Sequence, residues 1–177
     1  VVLPTVGEES VAGWLVRGKP GYGTILLLHG VRSDRRQMID RARWLSKAGY
    51  SVFLIDLPGH GESEAKHITF GAHESIGVRT ALAYLRHSFP GEKIGLIGVS
   101  LGAASFLLSN SPPAPDAVVL ESMYPTITDA VADRIAIRLG PLGRELSPLL
   151  LWQLHPRLGV SPEQLRPLVE IRRVHAP

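Results

Sequence analysis

The sequence predicts an α/β protein: a mostly parallel sheet with helices on both faces. Three observations predict it. Short continuous apolar runs at residues 24–28, 51–55 and 94–99 lack the polar alternation of a strand with one wet face, so they suit strands buried on both sides. Amphipathic segments of helical period separate these runs, which gives β–α alternation. Residues able to do chemistry, His29, Asp56, Ser100 and Glu121, follow or end the apolar runs, at the strand ends where open α/β sheets carry their sites.

Each element follows in order. Residues 1–9, broken by Pro4 and Gly7, are expected to be extended or loose. Residues 10–16 predict a strand, antiparallel and near an edge, and Lys19-Pro20-Gly21-Tyr22-Gly23 a turn. The run 24–28 is a central strand ending in His29-Gly30-Val31. Residues 35–48 predict one helix, with Met38, Ala42 and Leu45 on one face, Ile39 beside them and Gly49 as its stop. The strand 51–55 runs into Asp56-Leu57-Pro58-Gly59-His60-Gly61-Glu62-Ser63. A polar loop precedes a helix over 72–87 whose inner face is Val78, Ala81, Leu82 and Leu85. The strand 93–99 leads through Ser100 into a helix to about residue 109, stopped by prolines at 112, 113 and 115, and 117–121 is the last strand signal.

From residue 124 the character changes. A helix is expected over 127–139, with Ile127, Val131, Ile135 and Leu139 at regular steps. A second apolar stretch covers 146–155 around Trp152, and a third helical piece over 163–172 is interrupted by Pro167. The expected organisation is therefore a core over 1–123 and a small helical cap segment over 124–177, lying above the serine.

Composition narrows the function. At 177 residues and 45% hydrophobic content the chain is most simply one globular domain. It has no cysteine, which excludes disulfides, thiolate metal sites and a cysteine nucleophile. The net charge of +3 comes from scattered arginines. No basic run carries interleaved aromatics, so nucleic acid is not an expected partner. Arg134, Arg138 and Arg144 suit a solvated helix face better than an acid-binding site. No apolar run approaches a membrane span of about 18 residues. No secretory signal stands at the start, so the default location is cytoplasmic, with a removed N-terminal anchor or signal left open. No metal cluster or phosphate loop implies a cofactor.

The organising stretch is Gly98-Val99-Ser100-Leu101-Gly102, a G-x-S-x-G between a strand and a helix of small residues. Such a turn holds its serine at a strained backbone angle with the hydroxyl exposed, and side chains at the flanking glycines would clash. The Leu101 amide, at the helix start, is available to a developing oxyanion. Gly61-Glu62-Ser63-Glu64-Ala65 nearly copies the pattern, but no strand enters it and it is expected to be loop.

The apolar strand with His29-Gly30, then Asp56-x-Pro58-Gly59-His60-Gly61-Glu62-Ser63, then Gly98-x-Ser100-x-Gly102, in that order and spacing, resembles the α/β-hydrolase superfamily over nearly the whole chain. Within it, His29-Gly30-Val31-Arg32-Ser33-Asp34-Arg35 and Leu120-Glu121-Ser122-Met123-Tyr124-Pro125 look like the bacterial serine hydrolases described as esterases or serine aminopeptidases. The resemblance implies an α/β-hydrolase fold and a small-molecule ester or acyl substrate. It implies Ser100 as nucleophile and the amides of Val31 and Leu101 as oxyanion hole. His29 would brace the loop carrying Val31, and His60 would belong to the turn after its strand. A serine, where haloalkane dehalogenases and epoxide hydrolases carry aspartate, argues against those chemistries.

The family's acid and histidine come from strands beyond this point in the chain. Arg173-Val174-His175-Ala176-Pro177 looks like the segment leading into the first of them, so the fold is expected to be C-terminally incomplete and the catalytic triad with it. A longer protein is the favoured explanation. The alternatives are a fragment covered by another chain, or substitutes in which Glu121 serves as acid and His155 or His175 as base. On any of these, residues 117–120 are expected at an apolar, unpaired sheet edge that invites self-association.

Overall fold

The structure, a computed structural model, describes residues 1–5, 9–109 and 114–177, with the backbone alone at 141–143. Its centre is a six-stranded sheet in the order β1-β2-β4-β3-β5-β6. The strands are β1 (Val2–Pro4), β2 (Ser10–Val16), β3 (Thr24–Leu28), β4 (Ser51–Ile55), β5 (Ile94–Val99) and β6 (Ala117–Glu121). β1 and β2 join antiparallel, and β4, β3, β5 and β6 are parallel. The prediction that residues 1–9 are loose is corrected: Val2–Pro4 forms the outermost strand, pairing Leu3 with Val11, and Leu3 is buried.

The apolar runs lie in the middle because successive side chains on a strand point to opposite faces and both faces are covered. Leu26, Leu28, Phe53, Ile55 and Leu96 face one core with Val78, Ala81, Leu82 and Leu85 of α2 (Glu74–Ser88) and Leu101, Phe106 and Leu107 of α3 (Leu101–Ser109). The alternate residues Leu27, Val52 and Leu54 face the other core with Met38, Ala42 and Leu45. The single helix expected over 35–48 is two pieces. A 3-10 turn at Arg35–Met38 is capped by the Asp34 carboxylate, and α1 (Ile39–Lys47) follows it. The break is local, since Asp34 accepts Arg36 N–H at 2.8 Å and Gln37 N–H goes to the Asp34 carbonyl at 3.0 Å.

A buried polar knot ties three strand ends together. The Asp56 carboxylate, following β4, accepts Arg35 N–H at 2.7 Å and Glu62 N–H at 2.8 Å, and pairs with the Arg35 guanidinium at 3.1 Å. Arg35 is itself buried, lies 4.5 Å over the Trp14 ring of β2 and also meets Glu62 at 2.5 Å. Ser63 Oγ donates to the Asp56 carbonyl at 2.7 Å and accepts Ala12 N–H at 2.9 Å. The GESEA stretch is thus a hydrogen-bonded turn, as the missing strand signal led us to expect.

Beyond Glu121 the chain is helical: α4 (Ile127–Leu139), α5 (Pro141–Trp152), α6 (Leu154–Leu158) and α7 (Pro167–Glu170). Ile127, Leu154, Val160 and Leu165 form their own cluster against Phe70, Ala72, Tyr124 and Leu108. Of the regular steps along α4, only Ile127 is fully buried, and Leu139 at the far end is exposed. Pro167 starts α7 rather than interrupting a helix, because its missing N–H costs nothing in a first turn. The prolines at 112 and 113 lie outside the described residues. β6 ends the sheet, with Val119 exposed, but its edge is not wholly unpaired: Val118 N–H donates to the Pro177 carbonyl at 3.0 Å. Among the described residues no helix is long and apolar enough to cross a membrane.

Asp56→Ala leaves the Arg35 cation buried without its carboxylate, and such a loss costs about 3–5 kcal/mol. Urea denaturation should show a drop of that size for Asp56→Ala. Asp40→Ala, at a side chain 96% exposed, should stay within about 0.5 kcal/mol of the parent.

Candidate active site

The parallel strands β3, β4, β5 and β6 deliver His29, Asp56, Ser100 and Glu121 to one edge. The register puts Leu28 beside Gly98 and Ile55, and Val99 beside Glu121. Strain gathers there. Of the four non-glycine residues with positive φ among the described residues, Arg32 (58°), Ser100 (49°) and Ser122 (51°) each stand on a strand-end loop of this edge.

Ser100 occupies the single residue between β5 and α3. Its N–H donates to the Glu121 carbonyl at 2.8 Å, and its carbonyl accepts Ala104 N–H at 3.0 Å. Both backbone groups are therefore committed, to the neighbouring strand and to the helix, and the side chain stands half-buried at the strand end. The two flanking glycines are demanded by contact. A Cβ on Gly98 would come 2.8 Å from Ala103 N, and one on Gly102 would come 2.6 Å from Leu28 Cβ and 2.8 Å from the His29 carbonyl oxygen. Those separations let α3 start directly against the ends of β3 and β5.

His29 is fully buried. Its Nε2 lies 3.0 Å from Leu57 N, which can only donate, so Nε2 is the acceptor. The proton then sits on Nδ1, which donates to the Gly30 carbonyl at 2.7 Å. Burial pushes the imidazole below its ordinary value, against the upward pull of that carbonyl, and so favours the neutral ring. The hydrogen bond fixes more than the loop. In a trans peptide the C=O and the next N–H point in opposite directions, so Val31 N–H is aimed away from the buried ring. Val31 itself is exposed, and Leu101 opens α3. Among the described residues neither amide finds an acceptor within the protein.

Gly30 differs from the other two glycines. A Cβ there would meet Gln37 Oε1 at 3.6 Å and Ser100 Cβ at 3.7 Å, which is ordinary contact. No clash demands glycine here; a methyl would sit in ordinary contact with Ser100 Cβ and the Gln37 amide.

Glu121 is held by an ion pair with Arg41 of α1, while its backbone carbonyl anchors Ser100. His60 is buried, its Nδ1 3.2 Å from the Pro58 carbonyl and its ring 5.1 Å from that of His29. His175 lines a cavity of about 480 Å³ with Ser109 and Asp116, at the far end of α3 from Ser100 and at the opposite edge of the sheet. The set Glu121 with His175 is therefore not brought together. His155 is exposed on α6. Sequence reasoning missed Arg41, Arg35 and Gln37. Each is a polar residue at a helical turn, with nothing in its spacing to separate it from a surface side chain, although Arg35 is buried.

A mostly parallel sheet of this order, with a left-handed serine between a strand and the helix packed against it, defines an α/β hydrolase. The family model for serine aminopeptidase, S33, matches residues 20–169, and the chain belongs to that family. It is 22% identical to the uncharacterized protein YqkD of Bacillus subtilis (strain 168) over 180 residues, 99% of this chain and 59% of that protein. It is 33% identical to the caffeoylshikimate esterase of Arabidopsis thaliana over 100 residues, 53% of this chain and 30% of that protein. The chain thus spans about three fifths or less of the curated relatives it matches. The esterase Pf2001 of Pyrococcus furiosus shares the fold with a TM-score of 0.73 at 24% identity, over 100% of this chain and 66% of that one.

The ordinary contacts around Gly30 yield a test. Gly30→Ala should fold with stability within about 0.5 kcal/mol of the parent, because the added methyl meets only ordinary contacts. Urea denaturation checks this, and a loss of more than about 2 kcal/mol would contradict it.

Proposed function

We propose that the protein is a serine hydrolase that cleaves carboxylic esters or related acyl bonds through an acyl-enzyme on Ser100. The observation that carries the reading is the φ of 49° at Ser100, held between β5 and α3 by two glycines that cannot take a Cβ. Left-handed serine is costly, and a fold that keeps it at a strand end does so to present the hydroxyl.

In the proposed reaction Ser100 Oγ attacks the acyl carbon and its proton passes to a general base. The carbonyl oxygen becomes an oxyanion that accepts hydrogen bonds from Val31 N–H and Leu101 N–H, the second at a helix N-terminus. Collapse of the tetrahedral intermediate expels the alcohol with that proton, and water then releases the acid by the same route in reverse. His29 is assigned a positioning role, since both its ring nitrogens are engaged and burial favours its neutral form. Glu121, paired with Arg41, is assigned to support of the Ser100 turn and not to the acid. We assign the base and its acid to parts of the protein outside residues 1–177, and residues 124–177 to a cap beside the site. The family's description as aminopeptidases supports amide cleavage as a second reading.

The test uses the full-length protein. Aryl esters of short acids and aminoacyl amides are assayed side by side, with and without a fluorophosphonate. One adduct on Ser100, ester turnover, and a fall on the order of 10⁴-fold or more in Ser100→Ala are expected. Faster amide than ester cleavage would favour the second reading. A folded protein with no adduct and no turnover would leave the fold to a binding role.

A further inference from the structure

Gly30 carries two peptide groups, and each is pinned by a different side chain. Its carbonyl accepts from His29 Nδ1 at 2.7 Å, and its N–H donates to Gln37 Oε1 at 2.7 Å. Glycine is the residue with the widest freedom in both backbone angles, so the loop between β3 and the 3-10 turn needs two constraints to hold one conformation. His29 supplies one from the buried side. Gln37, an exposed residue, supplies the other from the solvent side.

Gln37 is well placed to do so. The turn that carries it is anchored at both ends: Arg35 on Asp56, and Met38 in the core beneath β3. Its own N–H is taken by the Asp34 carbonyl at 3.0 Å. Asp34 is kept ionised down to about pH 2 by its bonds to the Arg36 side chain and N–H, so the cap of the turn persists across any working pH. The Gln37 backbone is therefore fixed, and its side chain reaches back across the loop. Oxygen must face Gly30, because Gly30 N–H can only donate, and the amide nitrogen then lies 3.8 Å from the Cβ position of Gly30, whose other neighbour is Ser100 Cβ.

From this geometry we infer that Gln37 is a positioning residue for the oxyanion hole: by holding Gly30 N–H it sets the direction of Val31 N–H toward the site beside Ser100. The inference rests on the acyl-transfer reading. The two pins act in series on one peptide chain. Release of the Gly30 N–H frees the His29–Gly30 peptide and leaves the Gly30–Val31 plane held by the His29 Nδ1 bond alone, so Val31 N–H samples a wider range of directions. A misplacement of about 1 Å in such a donor costs on the order of 10²-fold in rate. The buried His29 and Asp56 contacts are untouched, so the fold does not depend on Gln37.

The experiment compares the full-length parent with Gln37→Leu and Gln37→Glu. Gln37→Leu removes the acceptor. It should lower kcat for an aryl ester about 10- to 100-fold with KM changed less than threefold, weaken a boronic acid inhibitor by a similar factor, and speed hydrogen exchange at the Gly30 amide. Its Tm should fall by no more than a few degrees. Gln37→Glu keeps an acceptor and should keep the Gly30 amide protected, which ties the exchange result to the hydrogen bond. If the parent turns over and binds the boronate while Gln37→Leu matches it in kcat and inhibitor affinity, Gln37 has no such role and the acyl-transfer reading stands. If kcat falls only in step with loss of folded protein, the role is structural and the inference is overturned. If the folded parent neither turns over nor binds the boronate, the acyl-transfer reading fails and this inference with it.

Discussion

The close approach of α3 to the ends of β3 and β5 is the constraint on which the rest of the edge depends. It exists because Gly98 and Gly102 carry no Cβ, which brings the helix backbone against Leu28 and His29. A helix starting that near its strand leaves one residue for the turn, and that residue must be left-handed. The cost, of order 1–3 kcal/mol for a non-glycine residue, is sustained by the surrounding hydrogen bonds and packing. Ser100 N–H is held by Glu121, and Leu101 and Ala103 are buried in the sheet's cover.

The neighbouring loops are locked by buried polar groups that have their partners. Asp56 gathers two backbone amides and the Arg35 guanidinium, and His29 bridges Leu57 N–H and the Gly30 carbonyl. Buried polar groups stabilise when satisfied and cost heavily when they are not, so these contacts select one loop arrangement over its neighbours. β3, β4, β5 and β6 end on a common edge; these bonds join the ends of β3 and β4, and the bond from Ser100 N–H to the Glu121 carbonyl joins β5 to β6. Geometry at Val31 is thereby coupled to the core through His29, and to the 3-10 turn through Gln37.

Much of this was legible in the sequence, and the reasons are physical. The buried strands were read within a residue, because runs covered on both faces are apolar throughout and the flanking Gly, Asp and His are poor strand formers. Ser100 and its glycines were legible because a tight strand-to-helix turn demands those residues at that spacing. Val2–Pro4 was missed, since a three-residue edge strand has no periodicity to detect. The split at Met38 was missed because apolar spacing cannot tell a 3-10 turn from the first turn of a helix. Arg41, Arg35 and Gln37 were invisible for a different reason. Their partners lie 80, 21 and 7 residues away, and only the folded sheet brings them together.

The central claim is that Ser100 is presented to an acyl carbon with Val31 N–H and Leu101 N–H facing the oxygen that becomes charged. A crystal structure of the full-length protein after reaction with a phosphonate tests it most directly, since the phosphonyl oxygen stands where the oxyanion would. The account predicts a covalent bond to Ser100 Oγ, with that oxygen about 2.7–3.1 Å from both amides. An adduct on another residue, or a phosphonyl oxygen turned away from Val31 and Leu101, would contradict it.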